Sequence, residues 1–380
     1  MIPERTQILG NAKRVLVKIG SGVLTGKDGL DLAIIDHLTD EIAGLSKEGY
    51  QFVIVSSGAI ASGMHRMGFR TKLQSMPQKQ AAAAIGQGRL MRVYSNAFGR
   101  HDMNVAQILL TMSDLTDRER FLNMRNTLSV LMEWNVVPII NENDTVAVEE
   151  IRFGDNDNLA AMMANIIEAH LFINLTNTAG LYDGSPGKGK KTRLIPLVRE
   201  ITEDIEAMAS DESDPSGTGG MKSKVLAAKK VTAFGIPCII APGKAKGIIR
   251  EILSGKDVGT LFLPMKEHMR SKQHWIAFTL RARGRILVDE GAERAILHQG
   301  KSLLPSGITG VEGDFEVGDP VACVNLDGVV IAKGLTNYSA ADIDKIKGLK
   351  TSRIEQILGA KPYDEVIHRD NMAVQMKKTR

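Results

Sequence analysis

The sequence predicts an α/β protein in which a mostly parallel β-sheet carries helices on both faces and a smaller, mainly β domain follows. Three observations predict it. Short, β-rich apolar runs alternate with helix-like stretches as far as residue 264. After about residue 265 the alternation gives way to small strands separated by turn signals. The length of 380 residues exceeds what one small core organises, so two domains are expected. Repeated strand–helix–strand order implies parallel pairing, because a chain must cross over the sheet before it can run in the same direction again.

Taken in order, VLVKIG (15–20), FVIVSS (52–57), VAQILL (105–110), VVPIIN (136–141), LFINLT (171–176) and CIIAPG (238–243) read as buried strands. Their near-continuous apolar character is what a sheet covered on both faces requires. Between them, Thr116-Asp117-Arg118-Glu119 has the pattern of a capping box. It predicts a helix with Leu122, Leu128, Leu131 and Trp134 on roughly one face. A second helix is expected from about Asn158 to Ala169. Later, RILVD (285–289) reads as a strand and GAERAILHQ (291–299) as a short helix. VACVNLDGVVIAKG (321–334) is two alternating runs around Asp327-Gly328, a hairpin signal. The expected division is a large domain over 1–264, a linker over 265–280, a compact β domain over 281–365 and a loose tail over 366–380.

Composition narrows the function classes. Hydrophobic residues make up 43% and charged residues 24%, ordinary for a soluble globular protein. No apolar run approaches the ~18–20 residues that cross a bilayer, and MIPERTQILG lacks the apolar core of a signal peptide, so a cytoplasmic protein is expected. Cys238 and Cys323 lie in apolar, strand-like stretches and read as reduced core residues. The net charge of +4 is mild: 18 Lys/Arg against 15 Asp/Glu after residue 265, and 30 against 29 before it. That is too little to announce a nucleic-acid protein, and an anionic small ligand suits it at least as well.

The motifs with chemistry cluster at predicted strand ends. Lys18-Ile19-Gly20-Ser21-Gly22 closes the first strand, where a glycine-rich turn can aim backbone N–H groups at phosphate oxygens and Lys18 can add charge; a plain tight turn is the alternative. Lysine in an otherwise apolar strand needs an anionic partner if buried. Ser56-Ser57-Gly58-Ala59 ends the second strand and suits a ligand carboxylate, or simply caps a helix. Asn141-Glu142-Asn143-Asp144 and Gly154-Asp155-Asn156-Asp157-Asn158 bring acids and amides together. Asp144 could recognise an ammonium group and Asp157 could orient catalytic lysines; turn and cap chemistry is the other reading. Leu159 breaks any EF-hand pattern.

Gly184 through Lys190 mimics G-x-x-x-x-G-K, but Lys191 stands where Ser or Thr belongs, so it reads as a surface loop. Gly217-Thr218-Gly219-Gly220-Met221-Lys222-Ser223-Lys224 opens a helix, a natural anion site. Lys224 in its first turn opposes the helix dipole, which makes it a poor structural choice without a negative partner. The eight histidines show no metal-ligand spacing.

In this order VKIGSGVLT, VSSGAIASG, KQAAAAIGQGRLM, DRERFLN, VPIINENDTV, FGDNDNLAA, GLY and GTGGMKSK resemble the glutamate 5-kinase branch of the amino acid kinase family over nearly the whole chain. SLLPSGITGVEGDFEVGDPV is similar to the PUA domain that many such kinases carry. The resemblance implies an αβα sandwich and a small PUA-like barrel, phosphorylation of the glutamate γ-carboxylate at the start of proline synthesis, ATP with Mg²⁺, feedback inhibition by proline, and a homo-oligomer. It implies ATP contacts at Lys18, Gly20, Ser21, Thr176, Asn177, Thr218, Gly219, Gly220, Met221, Lys222, Ser223 and Lys224. It implies glutamate contacts at Ser57, Asp144 and Asn156, catalytic roles for Lys18, Lys224 and Asp157, and no protein metal ligands. The chain departs from the family's pattern at Asn177, where Asp is usual, and at Gly22, where Ser or Thr is frequent.

An acyl phosphate product hydrolyses readily, so a reductase partner that consumes it is expected. Two rival readings are another carboxylate kinase, for N-acetylglutamate or aspartate, and an RNA-binding protein with a vestigial kinase fold. Asp144 favours a free substrate amine over an acetylated one, and the retained lysines and glycine loops oppose the RNA reading.

Overall fold

The computed structural model describes residues 3–26, 29–69, 71, 73–147, 156–184, 192–209, 220–265, 276 and 280–374. The chain forms two compact units, Met1–His268 and Met269–Arg380. Most of the expected linker over 265–280 lies outside the described residues, as do Gly154, Asp155, Thr218, Gly219 and the 185–191 stretch of the Walker-like loop.

The first unit holds β1 (Arg14–Ile19), a two-strand ribbon of β2 (Thr25–Gly26) and β3 (Gly29–Leu30), then β4 (Gln51–Ser56), β5 (Val105–Leu110), β6 (Val137–Glu142), β7 (Leu171–Thr176), β8 (Leu197–Val198), β9 (Cys238–Pro242) and β10 (Thr260–Phe262). Eight of these form one sheet in the order β5-β6-β4-β1-β7-β9-β10-β8. Every neighbouring pair is parallel except β9 with β10. The six strands expected from the sequence are all present, each within a residue of its expected bounds.

Side chains alternate across the sheet, and the two faces have separate cores. Leu16, Val53, Val55, Ile140, Phe172 and Ile240 pack on one face with the helices Arg118–Glu133, Asn156–Ile166 and Met221–Thr232. Val15, Val17, Ile54, Ile139, Ile173 and Ile239 pack on the other with Leu32–Lys47, Met76–Gly99 and Ile248–Leu253. The parity assigns the polar residues too. Lys18 and Asn174 follow Leu16 and Phe172, whereas Ser56 and Asn141 follow Ile54 and Ile139. That split decides which helices each can reach.

One predicted helix face is corrected. Asp117, not Thr116, caps Arg118–Glu133, its side chain accepting from the Arg120 N–H. Each residue turns a helix by about 100°, and the buried face is Met124, Leu128 and Met132 with Phe121 beside it. Trp134 lies past the helix end and is 71% exposed. The side chain of Leu122 is outside the described set.

The second unit holds β11 (Gly284–Val288), β12 (Ile308–Gly313), β13 (Pro320–Val324), β14 (Val330–Leu335) and β15 (Met372–Val374), in the order β12-β11-β13-β14-β15. Only β11 with β13 is parallel. The hairpin from β13 to β14 turns at residues 325–329, where Asn325 Oδ1 accepts from the N–H groups of Asp327 and Val329, and Gly328 takes a positive φ of 77°. The expectation of a loose tail from 366 fails as far as residue 374. Val366 and Ile367 are fully buried, Ile367 bridges to Leu303, and β15 pairs with β14. Short apolar segments near a chain end carry little periodicity, so their burial was not legible. Cys238 and Cys323 are both buried and free, and burial pushes both thiols up. Among the described residues no helix is long and apolar enough to cross a membrane.

Candidate active site

Three charged side chains meet at the C-terminal ends of β1 and β7. Lys18 comes from β1, Asp157 from the first turn of Asn156–Ile166, and Lys224 from the first turn of Met221–Thr232. Asp157 is fully buried. Lys18 Nζ lies 2.6 Å from its Oδ1 and Lys224 Nζ 3.3 Å from its Oδ2. Asn174 Nδ2 also donates to Oδ1 at 2.8 Å, and the Ser223 hydroxyl donates to Oδ2 at 2.8 Å. Burial alone would raise this carboxyl. The charges of Lys18 and Lys224, with the hydrogen bonds from Lys18 and Ser223, outweigh burial and hold it well below the usual carboxylate range. Lys224, which opposes its own helix dipole, thus has a negative partner within the protein. Together the three side chains carry a formal charge of +1, and each lysine is held in a fixed direction by the shared carboxylate.

Beside this cluster is an uncharged one. Asn156, the residue before Asp157, directs Nδ2 to the Ser57 hydroxyl oxygen at 2.9 Å, the Ser56 carbonyl at 3.1 Å and Asn141 Oδ1 at 2.9 Å. Asn141 Nδ2 donates in turn to Gln87 Oε1 at 3.0 Å. Ser56 Oγ and the Tyr94 hydroxyl are 3.0 Å apart, and burial pushes the Tyr94 hydroxyl up despite that hydrogen bond, so it stays a neutral O–H. Gln87 and Tyr94 both come from Met76–Gly99, on the opposite face from Asn156–Ile166. Asn156 therefore reaches over the C-terminal edge of the sheet.

The backbone permits this because two helices approach unusually closely. A Cβ on Gly86 would lie 1.8 Å from the Ala59 carbonyl oxygen, and one on Gly63 1.8 Å from that of Ala82. Only glycine lets Ala59–Arg66 and Met76–Gly99 touch there, and that contact places Gln87 near the sheet edge.

The remaining sequence candidates fall around these clusters. Ser57 and Asn156 are joined by a hydrogen bond; Asp144 is half-buried two residues past β6, and none of the bonds of Ser57 or Asn156 goes to it. Gly20 and Ser21 follow β1, with the Gly20 N–H donating to the Leu175 carbonyl at 3.2 Å. Thr176 ends β7, buried, and Asn177 beyond it is exposed. Gly220 is the N-cap of Met221–Thr232 and supplies no side-chain cap; Met221 and Ser223 are half-buried and Lys222 is exposed.

Residues 13–242 match the model of the amino acid kinase family and residues 284–358 that of the PUA domain. The chain belongs to the amino acid kinase family. It is 70% identical over 374 residues to a protein named glutamate 5-kinase from Syntrophus aciditrophicus, covering 98% of this chain and 97% of that one. It is 50% identical over 370 residues to the glutamate 5-kinase of Syntrophotalea carbinolica, covering 97% and 99%. Among solved structures, a carbamate kinase from Giardia lamblia bound to AMP-PNP aligns with a TM-score of 0.50 at 17% identity, covering 67% of this chain and all of that one, which supports the fold.

For this family member, sequence reasoning passed over Asn174, Gln87 and Tyr94. Asn174 gave the same signal as Lys18, a polar residue inside a run whose six residues are all buried. Gln87 and Tyr94 lie seven residues apart on the stripe of Ala83, Leu90 and Ala97, where an amide and a hydroxyl interrupt a buried helix face.

Proposed function

We propose that this chain transfers the γ-phosphoryl group of ATP to the γ-carboxylate of L-glutamate, giving ADP and L-glutamyl 5-phosphate, the first step of proline biosynthesis. The observation that carries it is the adjacency of Asn156 and Asp157. One belongs to a neutral, hydrogen-bonding cluster suited to an amino acid, and the next holds two lysines suited to phosphate. Curated relatives at 70% and 50% identity carry the same name for their activity.

The substrate carboxyl has a pKa of about 4.3, so at neutral pH it is already an ionised nucleophile and needs no base. Its oxygen attacks the γ-phosphorus as the bond to the β-phosphate oxygen breaks. The protein's task is to align the two and to meet the charge on the transferring group. Lys18 and Lys224 supply that charge and Asp157 aims them. The turn after β1, Thr176, Asn177 and the 218–224 segment hold the nucleotide, and Ser57, Asn156 and Asp144 hold glutamate, Asp144 facing the ammonium. Among the described residues no three acidic, His or Cys side chains gather, and both Asp157 oxygens are engaged by lysines and hydrogen-bond donors. Mg²⁺ fits this protein as a companion of the nucleotide phosphates.

Proline shares the α-carboxylate and cationic nitrogen of glutamate but lacks the reacting carboxylate, so it should compete for the same residues. A cytoplasmic homo-oligomer and a reductase that consumes the acyl phosphate complete the reading, and any RNA binding by the PUA region should be weak and salt-sensitive. The test is ADP release with glutamate, N-acetylglutamate or aspartate as acceptor. Glutamate alone should support it, and turnover with N-acetylglutamate instead would overturn the assignment.

A further inference from the structure

The polarity of the neutral cluster is set by two backbone groups that cannot exchange roles. The Glu142 N–H can only donate, and it points at Asn141 Oδ1 from 2.9 Å. The Ser56 carbonyl can only accept, and it faces Asn156 Nδ2 at 3.1 Å. Both amides are thereby oriented: Asn141 turns Nδ2 to Gln87 Oε1, and Asn156 turns Nδ2 inward. An amide nitrogen carries two hydrogens, so three acceptors within 3.1 Å saturate it. What half-buried Asn156 retains for a ligand is its carbonyl oxygen, which takes no hydrogen bond from a described residue. Ser57, whose oxygen accepts from Asn156, retains its hydroxyl proton. The pair therefore offers one acceptor and one donor, matching an ammonium next to a carboxylate.

Gln87 holds this arrangement in place at a structural disadvantage to itself. It is 92% buried (8% exposed), and its Nε2 has no hydrogen-bond partner among the described residues. An apolar residue on this helix face would leave no such donor stranded. Gln87 Oε1 is, however, the acceptor that buried Asn141 Nδ2 needs. Without it Asn141 Nδ2 is buried with no acceptor and the Glu142 N–H alone restrains the amide, so Asn141 gains by swinging Nδ2 toward another acceptor and drawing its Oδ1 away from Asn156.

We propose that Gln87 is a positioning residue that, through Asn141, keeps the Asn156 carbonyl turned to the substrate and so makes the site select an amino acid over the same diacid lacking its amine. The proposal rests on the glutamate-binding reading above.

The experiment compares glutamate with glutarate as acceptors for wild type, Gln87→Leu and Gln87→Glu, with folding checked by circular dichroism. Gln87→Leu should raise the glutamate KM ~10-fold while kcat and the ATP KM stay within ~2-fold, and the preference for glutamate over glutarate should fall by about the same ~10-fold. Gln87→Glu still offers Asn141 an oxygen and should keep the wild-type preference within ~3-fold. An unchanged preference in folded Gln87→Leu, or equal losses with both acceptors and ATP, overturns the proposal. Should Gln87→Leu not fold, Gln87→Glu decides: a retained preference supports the proposal and a lost one overturns it. Wild-type protein without any glutamate-dependent turnover overturns the functional assignment and this proposal together.

Discussion

At the scale of single residues, the site depends on one carboxylate serving two lysines. On the proposed mechanism Lys18→Ala and Lys224→Ala should each lower kcat by about 10²-fold or more with little change in glutamate binding, since each would meet charge that shifts in the transition state. Steady-state kinetics decide it, and a variant with near-normal kcat removes that lysine from the mechanism. Asp157→Asn leaves two buried ammonium groups without their shared counter-charge and should cost about 3–5 kcal/mol of stability. The pH dependence has a definite sign. The folded carboxyl titrates below its unfolded value of about 3.9, so its stabilisation is fully present above that pH and is lost as pH falls toward the folded value. The gap in Tm between wild type and Asp157→Asn should be constant from pH 8 to 6 and close only in strong acid; a gap that closes near neutrality contradicts the ion cluster. Lys18 and Lys224 were legible because a charge in an apolar strand, or at the wrong end of a helix, asks for a partner. The identity of the partner was legible only as a candidate, because Asp157 lies 139 positions beyond Lys18 and 67 before Lys224 in the chain.

At the scale of elements, the close crossing of Ala59–Arg66 and Met76–Gly99 makes a clear prediction. Gly86→Ala and Gly63→Ala each drive a methyl group into a backbone carbonyl and should destabilise by about 1–3 kcal/mol, with a higher glutamate KM because Gln87 moves with its helix. Gly88, two residues on in the same helix, has nothing within 4 Å of where a methyl group would sit, so Gly88→Ala should be neutral or stabilise by up to about 1 kcal/mol. Thermal melts of the three variants check it, and equal effects at Gly86 and Gly88 would refute the close-packing account. Six strands of the first unit were legible to within a residue because burial on both faces demands continuous apolar runs, whereas β2, β3, β8 and β10, of two or three residues each, were too short to show. The helix Arg118–Glu133 was legible in existence but not in facing, because Thr116 and Asp117 are both good caps and only the contact with the Arg120 N–H chose between them.

At the scale of the whole molecule, every residue placed in the chemistry precedes residue 225. A chain ended after His268 keeps the eight-stranded sheet and both of its cores and should retain glutamate-dependent ATP turnover. If it is well folded by circular dichroism yet inactive, the second unit contributes to the site. Ending the chain after Glu365 is a different matter. It removes fully buried Val366 and Ile367 and the edge strand β15, and it should unfold the second unit while leaving the first intact. Limited proteolysis of the two shortened chains distinguishes these outcomes. The boundary near residue 265 was legible as a change of pattern, but the closing strand was not, since three residues of β15 are too few to show alternation.

By itself the sequence determined the class of the fold, its longer buried strands and the residue types gathered at their ends, because burial periodicity and turn chemistry act over a few residues. Only the tertiary structure decided which of those residues meet and which way each amide points. Asn156 and Ser57 are 99 positions apart, and Asn141 and Gln87 are 54. Their hydrogen-bond directions follow from backbone groups of Glu142 and Ser56 that no local pattern connects. Sheet parity and a glycine-mediated helix contact bring them to one edge, and hydrogen-bond polarity is settled only once donors and acceptors share a space.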